Sequence, residues 1–220
     1  MKKIRTIYLL PLASVFVLLS ACLKDIKDTN PQVNDFSNIA RVQVINATVA
    51  STRNYVFVDG VPVTGASFAY GAVFPLSPNT SFMVPAGLRT FLIKDTSSTI
   101  LTQPPMSFAE SFDGNRFYTI FMYDTVSQVK QKTVSTNIVV PTDGSARVRF
   151  ANFVYFPTII PGIDIFSKKR NEFVVTNLLP TQVTDFTSYP TGVNDTLYVS
   201  EAGNPANRLD TLNGFNPTAR

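Results

Sequence analysis

The sequence predicts an all-β protein: two immunoglobulin-like β-sandwich domains in tandem behind a cleaved lipoprotein signal peptide, the second lacking its last strand or strands. Three observations carry that expectation. The 220 residues include 18 Phe and 8 Tyr, and no long stretch has helical periodicity. Short apolar-alternating runs are separated by turn signals such as Asp59-Gly60, Pro85-Ala86-Gly87, Asp113-Gly114-Asn115 and Pro161-Gly162. Finally, Ala-Arg-Val-Gln-Val-Ile-Asn at Ala40–Asn46 returns as Ala-Arg-Val-Arg-Phe-Ala-Asn at Ala146–Asn152, an offset of 146 − 40 = 106 residues. Both copies alternate small or apolar residues with polar ones at period two, the pattern of a half-buried strand, and both end in Asn, which favours a turn.

The repeat extends along the chain. Val56–Gly60 follows the first copy, and Ile163–Ser167 lies in the matching place after the second. Leu88–Asp95 aligns with Asn194–Glu201 at the same offset, 194 − 88 = 106, so Phe91, Leu92 and Ile93 fall on Leu197, Tyr198 and Val199. A repeat of this length is a duplicated domain, not a solenoid unit.

At the N-terminus, Lys2, Lys3 and Arg5 precede an apolar run from Ile7 to Leu19 and then Leu19-Ser20-Ala21-Cys22. About 13 apolar-biased residues are too few to span a bilayer and fit a secretory signal. The Leu-Ser-Ala-Cys tetrad resembles the lipobox of bacterial lipoproteins. That resemblance implies cleavage after residue 21 and acylation of Cys22, the sole cysteine, which has no partner for an internal disulfide. Each buried methylene of an acyl chain contributes about 0.8 kcal/mol, so the mature protein is expected to be anchored on a membrane without crossing it. Leu23 follows the cysteine where an Asp would retain some lipoproteins at the inner membrane. Lys24–Asp28 weakly resembles the charged segment that exports lipoproteins of the Bacteroidetes to the cell surface. The expected location is the bacterial cell envelope, as an outer-membrane lipoprotein on the periplasmic face or at the cell surface.

Removing residues 1–21 takes away three basic groups, so the net charge of +4 falls to 4 − 3 = +1. The one remaining basic cluster, Lys168-Lys169-Arg170, reads as a hairpin tip. No electrostatic footprint for nucleic acid is left.

The mature chain suffices for two domains. The reading assigns residues 22–38 to a lipid-anchored tether, 39–140 to sandwich 1, 141–145 to a linker and 146–220 to sandwich 2. Expected strands in the first domain are Arg41–Ile45, Tyr55–Val58, Ser67–Val73, Ser81–Val84, Arg89–Lys94, Phe117–Tyr123 and Lys132–Val139. Adding 106 to 118 gives 224, so the second domain lacks a counterpart of Phe117–Tyr123. Either the protein continues past Arg220, the preferred account, or a partner strand fills the groove.

The opening Ala-Arg-Val-x-Val-x-Asn, Val56-Phe57-Val58-Asp59-Gly60 and Tyr118-Thr119-Ile120-Phe121 together resemble the domain-of-unknown-function 4397 family of bacterial, Bacteroidetes-type exported lipoproteins. The resemblance covers most of Ala40 to Tyr123 and, less closely, Ala146 to Glu201. It implies tandem β-sandwiches, and it carries no activity or catalytic residue to transfer.

The chain has no histidine, which removes Ser-His-Asp and Cys-His catalysis and most zinc, copper and haem sites. Its acidic residues form no acid/base pair readable from spacing. Asp59 beside Gly60 reads as a turn former. The expectation is therefore no catalytic residue, no cofactor, no metal and no enzymatic activity. Asp124-Thr125-Val126, Asp195-Thr196-Leu197 and Asp210-Thr211-Leu212 resemble short O-glycosylation triplets of exported proteins.

One loop stands out. Phe153–Gly162 carries six large apolar residues, whereas its counterpart Ala47–Asn54 is mostly polar. Loops at the ends of a sandwich often carry binding function. Tyr155, Phe156, Ile159 and Ile160 are therefore candidate partner-binding residues, unless they cover the interface between the domains or bury against their own sandwich. The expected function is a non-enzymatic binding or structural protein presenting its sandwiches to a protein or glycan partner. The alternative is a pilus-like or surface-assembly subunit completed by strand exchange.

Overall fold

The computed structural model describes residues 36–77, 79–96, 103–137, 141–159 and 161–218. The signal segment, Cys22 and most of the tether lie outside these residues, as does Ile160. The described chain is all-β, and it holds no helix long and apolar enough to cross a membrane. Residues Phe36–Arg220 form one compact unit built around two cores.

The first core lies between two sheets. One runs β4 (Val73–Phe74), β1 (Ile39–Asn46), β8 (Phe117–Tyr123), β9 (Lys130–Thr136), with β5 (Phe82–Pro85) also pairing β1. The other runs β3 (Val61–Pro62), β2 (Tyr55–Val58), β6 (Gly87–Lys94), β7 (Met106–Phe112). Period-two alternation sends Ala40, Val42 and Val44 of β1 inward against Val56 of β2 and Phe91 and Ile93 of β6, all fully buried. Each large side chain so buried contributes roughly 1.5–3 kcal/mol. Phe91 stacks on Phe108 at 5.1 Å, and Phe112 meets Tyr118 edge-on at 4.9 Å. Pro62, which has no N–H to donate, sits in the two-residue edge strand β3.

Strand β8 is the exception to half-burial. It pairs with β1 in parallel, from Arg41 against Phe117 to Asn46 against Met122, and with β9 antiparallel. Tyr118, Ile120 and Met122 close the core, while Thr119 and Phe121 are also buried on the opposite face. A strand covered on both sides reads as a continuous apolar run, as Phe-Tyr-Thr-Ile-Phe-Met-Tyr does.

The seven strands expected here become nine. Ser67–Val73 is mostly irregular, because the Ala69–Ala72 turn places Gly71 at φ 78° and leaves only Val73–Phe74 extended. Of Lys132–Val139 the strand covers Lys132–Thr136 and starts earlier, at Lys130, while residues 138 and 139 lie outside the described residues. The expected set omits β3 and β7. The alternation in β7 is interrupted by Glu110, which β6 nonetheless accepts opposite Arg89. The parallel β1–β8 ladder also sets this sandwich apart from purely antiparallel immunoglobulin sheets.

The second core is bounded by a two-stranded sheet, β10 (Ala146–Val148) with β13 (Thr187–Tyr189), and a four-stranded one. The latter runs β12 (Glu172–Leu178), β11 (Ile163–Ser167), β14 (Asp195–Glu201), β15 (Asn204–Phe215). The duplication is visible in pairing. The order β3-β2-β6-β7 reappears as β12-β11-β14-β15, all antiparallel. β1 on β5, with Ala40 opposite Val84, reappears as β10 on β13, with Ala146 opposite Tyr189. Among the described residues nothing repeats β8 and β9.

The repeated asparagines close equivalent corners. Asn46 and Asn152 are both buried; the Oδ1 of Asn46 accepts from the Thr48 N–H and that of Asn152 from the Val154 N–H. The Asn46 carbonyl accepts from the Gly71 N–H, and the Asn152 carbonyl from the Thr181 N–H. Gly71 and Thr181 both have left-handed backbones, with φ of 78° and 64°.

The β2–β3 and β11–β12 turns use opposite chemistry. The Asp59 and Gly60 φ values of 49° and 81° suit a two-residue hairpin turn, as Asp-Gly predicts. Asp59 accepts from the Thr90 N–H and pairs with Arg89 at 2.9 Å, and these two contacts, in that order, hold its carboxyl below the usual range. In the second half the equivalents, 106 residues on from Arg89 and paired like it, are Asp195 on β14 and Lys168 in the turn. The carboxylate now comes from the strand and accepts from the turn.

Candidate functional site

The apolar loop begins where β10 ends. After the Asn152 corner, the chain sends Phe153 onto the outer face of β8, where it stacks on Phe121 at 4.2 Å and lies 5.3 Å from Tyr123. Phe153 therefore serves the interface between the two halves. That interface also includes the Arg149 guanidinium donating to Thr119 Oγ1 at 2.8 Å and the Lys132 ammonium donating to the Thr181 carbonyl at 2.8 Å.

The rest of the loop turns away. Val154, Tyr155 and Ile159 are exposed, Ile159 completely. Tyr155, Phe156 and Ile159 line a groove of about 350 Å³ with Tyr123 and Asp124 from the end of β8 and Pro180 from the β12–β13 loop. Of the four residues expected to form a site, three are brought together, and Ile160 lies outside the described residues. Tyr123, Asp124 and Pro180 were missed by sequence reasoning, since they come from distant segments. The apolar doubling of β8 was the available signal that another part of the molecule packs there.

Asp124 supplies the groove's charge. Its carboxylate pairs with Lys130 at 2.7 Å, and that contact outweighs partial burial to hold its pKa low. A mostly apolar groove with two phenol rings and one neutralised carboxylate can take up an apolar or aromatic group, and it offers no nucleophile–base pair.

A polar cluster elsewhere has the residue types of a hydrolytic site but not its access. Ser167 and Tyr189 hydroxyls both donate to Asp195 Oδ2 at 2.5 Å, and the Lys169 and Thr196 N–H groups donate to Oδ1. Burial by itself would push the Asp195 carboxyl up; the hydroxyl and backbone donors outweigh it and hold it down. Burial, then the adjacent carboxylate, pushes Tyr189 up. Ser167 is fully buried, so this cluster ties the turn at Lys168 to β14. The three Asp-Thr triplets fall on structured positions: Asp195 is buried, Asp124 is ion-paired, and on β15 Asp210 is exposed beside a half-buried Thr211.

Between the halves, Arg147 and Arg149 line two adjoining cavities of about 450 and 370 Å³ against β8 and β9. Arg147 is engaged by Asp143 of the linker at 3.1 Å and by Ser188 at 2.8 Å. Desolvation pushes Arg149 down, and its guanidinium also stacks over Phe186 at 4.9 Å. Among the described residues no group of three or more His, Cys, Asp or Glu could hold a metal ion.

Fold and groove together define an all-β, sandwich-like protein with a duplicated strand plan and an apolar end-loop groove. No protein-family model matches the chain, and no curated protein matches it.

Proposed function

We propose that this chain is a lipid-anchored, non-enzymatic envelope protein that presents the Tyr155–Phe156–Ile159 groove to a protein or glycan partner. The observation that carries this reading is the exposed apolar loop, rigidly based at Phe153 and open beyond it. The Leu-Ser-Ala-Cys tetrad supports acylation of Cys22 and a place on the outer membrane, at either face. The quoted motifs support kinship with the domain-of-unknown-function 4397 family, with immunoglobulin-like tandem domains as the finer description.

Two measurements test it. Cys22→Ser should abolish fatty-acid labelling and release the protein from membranes. The Tyr155→Ser, Phe156→Ser double variant should keep the wild-type melting temperature within about 2 °C, because Tyr155 is already exposed. It should also lose binding on a glycan array or to purified envelope proteins. A large drop in melting temperature would make the loop core and remove the reading.

A second reading, a surface-assembly subunit completed by strand exchange, is favoured by one observation: among the described residues β10 is paired along only one edge.

A further inference from the structure

Two arginines stand two residues apart on one face of the chain and are treated in opposite ways. Arg147 is saturated: its guanidinium pairs with Asp143 at 3.1 Å and donates to the Ser145 and Ser188 hydroxyls. Arg149 makes one hydrogen bond, from Nη2 to Thr119 Oγ1 at 2.8 Å, and lies over the Phe186 ring. Among the described residues no carboxylate pairs with it. Arg53, Arg89, Arg116, Arg147 and Arg170 each face one.

Arg149 is also half-buried, and burial alone acts on its charge, pushing the pKa down with no anion to offset it. A guanidinium has five N–H donors, so most of this fork has no acceptor in the chain. The group is nonetheless held in place. Thr119 is buried on the outer face of β8, its hydroxyl within hydrogen-bond distance of Thr136, and Phe186 covers the guanidinium plane.

The fork lines the cavity of about 450 Å³ between the halves, together with Val134 and Asn137 from the β9 side and Val183 and Phe186 from the stretch before β13. That stretch is the one that occupies the paired edge of β10, through the Thr184 N–H donating to the Phe150 carbonyl and the Ala151–Val183 bridge. The cavity therefore lies on the filled side of β10, walled by both halves. Its volume falls within the range of small-molecule sites, roughly 300–1,000 Å³.

We propose that this cavity binds one singly charged carboxylate of a small organic ligand on the Arg149 fork, with the ligand's body against Val134, Val183 and Phe186. The charge sets the valence. Asp143 already neutralises Arg147, and Asp185, which lines the cavity without an ion pair, disfavours a second negative charge. A planar carboxylate matches the fork through two parallel N–H···O bonds, and the low-dielectric surroundings strengthen them. The site shares no residue with the Tyr155–Phe156–Ile159 groove and does not rest on its function.

The probes are glucuronate and cyclohexanecarboxylate, one hydroxylated and one apolar, titrated calorimetrically at constant ionic strength into the mature full-length protein carrying Cys22→Ser. At least one should bind one-to-one, and the tighter of the two tells whether the carboxylate belongs to an acidic sugar or to an apolar acid. Glucose and cyclohexanol, the same bodies without the charge, should not bind. Arg149→Lys keeps the charge but loses the fork and should weaken binding about tenfold, and Arg149→Met should abolish it. Arg149 also joins the halves, so Val134→Phe serves as a second variant: it leaves both guanidiniums in place, narrows the cavity and should likewise abolish uptake. Failure of both carboxylates to bind overturns the inference. So does undiminished binding by Arg149→Met or by Val134→Phe, and so does equal uptake of phosphate, which needs no planar fork.

Discussion

The ring of Phe153 lies over that of Phe121 with planes inclined by 15°, joining the first residue of the apolar loop to the outer face of a strand from the other half of the duplication. The contact both bases the loop and couples the two cores. Phe153→Ala should destabilise the protein by about 3 kcal/mol, the scale for truncating a buried aromatic. In urea, the variant should unfold in two separated transitions where the wild type shows one. A single transition with unchanged midpoint would mean that the halves are not coupled through this ring.

The Asp195 cluster gives a pH signature. The folded carboxyl is held below the value of about 3.9 for an unfolded Asp. Its stabilisation is therefore fully present above that value and is lost as pH falls through the folded pKa. Asp195→Asn should cost about 2 kcal/mol at pH 7, because donors that met a carboxylate then meet a neutral amide. The gap between wild type and variant should narrow steadily below about pH 4 in urea unfolding measured across pH.

Thr181 has a positive φ that a β-branched residue adopts only with strain, whereas Gly71 holds the equivalent corner in the first half. Thr181→Gly should relieve about 1–2 kcal/mol of strain and lose up to about 1 kcal/mol through the added freedom of the unfolded chain. A net rise of about 0.5 kcal/mol in unfolding free energy is expected, since the carbonyl still receives Lys132.

Gly114, in the β7–β8 turn, has no room for a methyl group, because a Cβ there would run into the Ser37 carbonyl. The next residue, Asn115, donates its N–H to the Phe36 and Ile39 carbonyls, so this turn clamps the end of the tether. Gly114→Ala should cost about 1–3 kcal/mol and speed proteolysis around Phe36, measured as cleavage rate by intact mass.

Much of the strand plan was legible because it depends on local alternation. Arg41–Ile45, Tyr55–Val58, Arg89–Lys94 and Phe117–Tyr123 lie within or match observed strands. The 106-residue offset matched Phe91 with Leu197, while their ladder partners Val58 and Ser167 lie 167 − 58 = 109 residues apart, so the offset holds for the central strand and slips by three at the neighbouring hairpin. What failed was decided by distant contacts. Ser67–Val73 has the composition of a strand, but its backbone bonds are taken by Asn46, Ser51 and Asn54 in a corner. The groove was only half legible for the same reason: Tyr155 and Phe156 announce themselves in sequence, while Tyr123 and Pro180 join them only through folding.

The opposite chemistry of the two hairpin turns bears on how a duplicated chain avoids confusing its copies. Segments with the same strand plan can pair with the wrong counterpart while the polypeptide is still collapsing, a recurrent failure of repeat proteins. Had both turns kept Asp59 and Arg89, either hairpin would accept either central strand equally well. As built, β2 set against β14 brings Asp59 to Asp195, and β11 set against β6 brings Lys168 to Arg89. Both mistaken pairings place like charges together, which disfavours them, while the correct Asp59–Arg89 pairing joins opposite ones. The two turns thus differ in the sign of the charge that stands at the same place, with one ion pair, Asp59–Arg89, formed in the first half and a carboxylate held by hydroxyl and backbone donors in the second.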